Sequence, residues 1–171
     1  MRKKKKVKNS NNITKSSIAC TSNVTISLQY GKKAYREIKV HNTAKLDFFR
    51  RILLAIAGED ASKILMPQYL HTFDSTGVST TSISVPITSK KVYYDNTLEN
   101  YRLDFEFLIP YTILSSEVNT GILRLYSSKA FDASQTNNIL LEVTLPEDKQ
   151  FKSDGSTNAV VSWTISIDNL K

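Results

Sequence analysis

Asp104 and Glu106 sit two residues apart in the stretch YRLDFEF. On an extended strand that spacing sends both carboxylates out of one face. Glycosidases use such a pair, one carboxyl as acid and the other as base or nucleophile. A solvated outer face beside Arg102 has the same composition, and nothing else in the chain completes a catalytic set. His41 and His71 are far apart, and Cys20 is the single cysteine, so no internal disulfide can form. That cysteine usage suits a chain folded in a reducing cytoplasm. No Cys/His spacing matches a metal site, and no GxSxG elbow or glycine-rich phosphate loop is present. With five glycines there is little to build such a loop from. These residues point to a protein that is not an enzyme and needs no cofactor or metal.

The loudest chemistry is the N-terminal RKKKKVK, with Arg2, Lys3, Lys4, Lys5, Lys6 and Lys8. Residues 1–15 carry seven of the 23 basic residues and no acid, which leaves 16 bases against 16 acids in the remainder. The net charge of +7 therefore belongs to an arm and not to a face of the fold. Such an arm can neutralise phosphates on DNA with a strong salt dependence, dock on an acidic protein surface, or stay solvated. It lacks the aromatic side chains that would stack on bases, which argues against sequence-specific reading. The opening has the charge of a signal peptide without its apolar stretch, and no run approaches the roughly 18 apolar residues of a membrane span.

The elements that must position these groups are mostly strands. The chain divides into an arm over residues 1–17 and one domain over residues 18–171. NVTISLQYGKKAYREIKV alternates apolar and polar residues around Gly31-Lys32-Lys33 and reads as a hairpin. A helix is expected over about 43–57, with Asn42 or Thr43 as N-cap and Gly58 as stop. It would turn Leu46, Phe49, Ile52, Leu53, Ile56 and Ala57 inward, with Phe48 at the edge of the stripe. Its other side carries Asp47, Arg50 and Arg51, with Leu54 among them. After it, Pro67 suggests an edge strand or bend, and Pro86 separates two short candidates, Ile83–Val85 and Val92–Tyr94. ENYRLDFEFLIP is the clearest strand: Tyr101, Leu103, Phe105, Phe107 and Ile109 face one way, and Pro110 ends it. GILRLYSS, NILLEVTLP and AVVSWTISIDN follow. The spacing fits an antiparallel β-sandwich with one amphipathic helix packed across the sheet and a basic N-terminal arm. Phe49, Ile52, Leu53, Ile56, Phe105, Phe107 and Trp163 are the expected core anchors.

The succession of pieces resembles small virion structural proteins of tailed bacteriophages. It runs from His41-Asn42-Thr43 and LDFFRRILLAIAGED through MPQYLHTF, YRLDFEFLIP, GILRLYSS and ILLEVTLPEDKQFKSDGS to VVSWTISIDN, over residues 24–169. The lysine arm lies outside that pattern. The resemblance implies a β-sandwich with one early helix that builds decorations, neck rings or appendage bases, and a protein that assembles and does no chemistry.

The resulting expectation is a multi-copy structural subunit of a virion, put together in the bacterial host cytoplasm. Its partners would be capsid, portal or neck and tail subunits. The arm would dock on one of them, and Arg50, Arg51 and Leu54 would form a subunit contact. Two alternatives stay open: DNA binding through the arm, and a glycan- or host-recognition domain using Tyr93, Tyr94 and Tyr126.

Overall fold

A computed structural model describes residues 19–43, 48, 66–128 and 139–168. They contain eight strands: β1 (Ala19–Tyr30), β2 (Lys33–Thr43), β3 (Tyr69–Phe73), β4 (Val85–Asp95), β5 (Asn100–Ile109), β6 (Ile122–Tyr126), β7 (Ile139–Thr144) and β8 (Thr157–Asp168). All join in one antiparallel sheet in the order β2-β1-β8-β5-β4-β3-β6-β7.

This corrects the sandwich expectation. A sandwich needs two separate sheets, and here β4 belongs to both halves. Its Val85 and Pro86 pair with β3, while Ile87 through Asp95 pair with β5. The sheet curls into a half-barrel and closes its apolar face on itself. Val24, Ile26, Phe105, Phe107, Val161, Trp163 and Ile165 from one half share a core with Leu70, Leu123, Leu125, Leu141 and Val143 from the other. The curl brings the segment after β7 against β2. Lys149 Nζ donates to the Lys39 carbonyl at 2.8 Å, and Arg36 Nη2 donates to the Asp148 carbonyl at 3.1 Å.

No helix of seven or more residues is found among the described residues, and none of those residues forms a helix packed across the sheet; they hold a three-residue 3-10 turn, Glu147–Lys149. The expected helix lies almost wholly outside them, and with it Phe49, Arg50, Arg51, Ile52, Leu53, Leu54 and Ile56. Asn42 and Thr43, read as caps, belong to β2, where they pair with Ser22 and Thr21. Phe48, set at the edge of the stripe by the helical wheel, is 1 % exposed and part of the core.

Two prolines also behave differently from expectation. Pro67 precedes β3, and β3 lies inside the sheet between β4 and β6, so no ladder bond is lost. Pro86 stands within β4, where the strand changes partners, a place where a missing N–H is tolerated. Gly31 closes the β1–β2 turn with φ +60°, a conformation that a side chain disfavours.

Candidate interaction surface

The outer half of the β4–β5 hairpin is where apolar side chains and unpaired backbone coincide. Along β5 the inward positions Leu103, Phe105, Phe107 and Ile109 are buried. Tyr101 continues the same inward row yet is 45 % exposed, and its cross-strand partner Tyr94 is 42 % exposed. Their rings meet edge-on with centroids 5.1 Å apart. Val92, opposite Leu103, is 65 % exposed. The apolar face of the sheet thus runs on past the core it serves. Beyond Ile87, β4 is also paired on the β5 side alone among the described residues, because its pairing with β3 stops at Pro86. One side of this strand therefore carries backbone donors and acceptors with no ladder partner, the feature by which a sheet edge recruits another strand.

The opposite face of the hairpin is polar and pinned. Tyr93 donates its hydroxyl to Asp104 Oδ2 at 2.9 Å, and Thr164 donates to Asp104 Oδ1 at 2.7 Å. The carboxylate raises the Tyr93 phenol above its ordinary range, chiefly through that hydrogen bond. Arg102 pairs with Asp95 at 3.1 Å and lies over the Tyr93 ring at 5.8 Å. Asp95 also accepts from the backbone N–H groups of Leu98 and Thr97. Those bonds, Leu98's first and then the Arg102 side chain, hold its carboxyl below the usual range. The turn at the tip is thereby tied at its base, and β5 stays paired with β8 as far out as Tyr101.

Asp104 and Glu106 do share one face, as their spacing requires. They line a shallow cleft of about 140 Å³ with Ser89, Lys91, Ser162 and Thr164. Both oxygens of Asp104 already receive hydroxyl hydrogen bonds, which makes it a fixed acceptor in a surface network. Among the described residues no group of three or more His, Cys, Asp or Glu is placed to hold a metal ion. No helix among them is long and apolar enough to cross a membrane.

His71 is the group that sequence reasoning passed over. It is 4 % exposed, its Nε2 lies 2.7 Å from Ser79 Oγ, and Ser79 Oγ lies 2.6 Å from the Thr81 carbonyl. A carbonyl only accepts, so Ser79 gives its proton to Thr81 and receives one from Nε2 of the ring. The histidine is therefore a donor to this serine and not its base, the opposite of a nucleophilic dyad. Burial pushes its pKa down to about 4. Beside it Thr72, Thr80 and Thr120 form a buried hydroxyl chain with spacings of 2.7 and 2.8 Å.

The loops next to this chain are tied by aspartates that accept from their own backbone. Asp74 Oδ1 accepts from the N–H groups of Thr76 and Val78, and Asp154 Oδ1 from those of Ser156 and Thr157. Hydrogen bonds from Thr157 and then Ser156 lower the Asp154 pKa to about 2. A depressed carboxyl contributes stability above its unfolded pKa of about 3.9, lost as pH falls through the folded value. A carboxyl NMR titration of Asp154 is expected to show a midpoint near 2, with the 154–157 loop signals unchanged down to pH 4. A midpoint near 4 would mean that the loop is untied in solution.

Of the residues singled out from sequence, Arg2, Lys3, Lys4, Lys5, Lys6 and Lys8 lie outside the described residues. Phe105, Phe107 and Trp163 are buried at 1, 0 and 0 % exposure. Tyr93 and Tyr94 lie at the hairpin tip, but Tyr126 is 3 % exposed and cannot present its ring to a ligand. His41 is exposed and hydrogen-bonds Asn23 through Nδ1. Comparison with protein-family models, with curated proteins and with solved structures returns no match to this chain.

Proposed function

We propose that the chain is a non-enzymatic structural subunit of a larger particle, of the kind built into tailed-phage virions, and that it attaches to neighbouring subunits through the β4–β5 hairpin. One observation carries this reading. The hairpin combines a sheet edge unpaired among the described residues with Val92, Tyr94 and Tyr101 exposed on the face that elsewhere forms the core. Tyrosine is among the side chains that dominate protein contacts, because it buries large area at small entropic cost. The resemblance read in the sequence supplies the kind of particle, with capsid, portal or neck subunits as partners present in several copies.

The test is incorporation into assembled particles, followed by co-sedimentation. Tyr94→Ser with Tyr101→Ser is expected to lower incorporation about tenfold or more. Both side chains are partly exposed, so the melting temperature should move little. Full incorporation of the folded double variant would remove the hairpin from the contact.

A further inference from the structure

The same hairpin points to a particular occupant. Resting on the attachment reading above, we propose that the free edge of β4 pairs with β4 of a second copy of this chain, antiparallel about a two-fold axis through Val92.

The register is chosen by the side chains. With Val92 opposite the partner's Val92, Lys90 falls opposite the partner's Tyr94, and Lys91 opposite the partner's Tyr93. Ser89 then falls opposite the partner's Asp95. Each lysine meets an aromatic ring, a pairing that favours a cation over a π face. The two Lys90 side chains lie towards opposite ends of the paired segment, and the two Lys91 side chains, one residue either side of the axis, stand diagonally and not face to face.

The rows of the sheet extend without a break. Ile165 pairs with Leu103 and Leu103 with Val92. Across the axis that inward row becomes Ile165–Leu103–Val92 and then its mirror in the partner. The exposed apolar end of the core would be covered by the equivalent end of another copy. Shifting the axis to Lys91 would place the two Lys91 ammonium groups face to face, which disfavours that register.

The edge is available. Among the described residues no side chain or loop from outside the hairpin bonds the backbone of residues 89–95. The long terminal strand β2, by contrast, has its Lys39 carbonyl occupied by Lys149. Residues 90–94 are all exposed, so pairing displaces water and no part of the protein.

Cysteine cross-linking reads this register directly, in full-length chain with Cys20→Ser. Under mild oxidation Val92→Cys should give a disulfide-linked dimer, since a residue on the axis meets itself within the reach of a disulfide. Lys90→Cys alone should not, whereas Lys90→Cys mixed with Tyr94→Cys should cross-link. Sedimentation should give a dimer for the wild type and a monomer for Val92→Glu, which sets two carboxylates against each other on the axis.

A monomeric wild type with no Val92→Cys cross-link overturns the two-fold pairing. So does a dimer that Val92→Glu leaves intact. If the wild type is monomeric but Val92→Glu still abolishes incorporation into particles, the attachment surface stands and its occupant is a different protein. If Val92→Glu changes neither, both readings fall.

Discussion

Urea unfolding is expected to show stability falling by up to about 3 kcal/mol between pH 6.5 and pH 4, with most of the loss removed by His71→Gln. The folded ring titrates near 4 because burial penalises its charged form, whereas an unfolded histidine titrates near 6.5. Between those values the unfolded chain binds the extra proton, so stability rises with pH across the window and is fully present above 6.5. Below 4 both states are protonated and this group contributes no further slope. The structural reason is that Ser79 already gives its proton to Thr81 and needs Nε2 as donor, while Phe73 packs at 5.2 Å from the ring. Glutamine keeps a donor in the same place without titrating. A pH slope that is unchanged in His71→Gln would assign the acid sensitivity elsewhere.

Trp163 is the second position where a single change should be severe. It is fully buried in the central strand β8, and its indole N–H donates to Ser22 Oγ at 2.7 Å, with Ser22 also fully buried. Trp163→Ala is expected to cost about 3–5 kcal/mol through lost contacts and a cavity. Ser22→Ala leaves the indole N–H without its partner and is expected to cost about 1–3 kcal/mol. Trp163→Phe strands the serine hydroxyl in the same way and also removes volume. Because each single change orphans the other group, the Trp163→Phe, Ser22→Ala double variant should cost less than the sum. Additive losses in a denaturant series would show that the bond contributes nothing beyond packing.

The strands were legible where one face is buried and the other wet. Leu103–Ile109 and Val161–Ile165 alternate cleanly because their even and odd residues meet different solvents. What the alternation cannot specify is the neighbour. Pro86 looks like a stop in the sequence, yet β4 runs through it, since the absent N–H falls where β4 leaves β3 for β5. Asn42 and Thr43 have the chemistry of helix caps, but a ladder partner in β1 draws them into a strand. Tyr126 looks like a surface aromatic and is buried by a curl that local periodicity does not encode. The interaction surface was half legible for the same reason. Tyr93 and Tyr94 stand out as aromatics, but the unpaired edge beneath them depends on where β3 ends. His71 gave no local signal, because its burial and its serine partner come from loops that meet only in the folded chain.

The closure between β2 and the segment after β7 has a consequence for how the molecule yields. Elsewhere the sheet is stitched by backbone ladders whose bonds must break together. At this join, among the described residues, hydrogen bonds run from two long side chains, Lys149 and Arg36, to single carbonyls. Each can let go by a rotamer change that leaves the strands intact. The half-barrel therefore has a zip, and a force or a denaturant that opens it gently would part it there first, spreading the curl while β1, β8 and β5 stay joined.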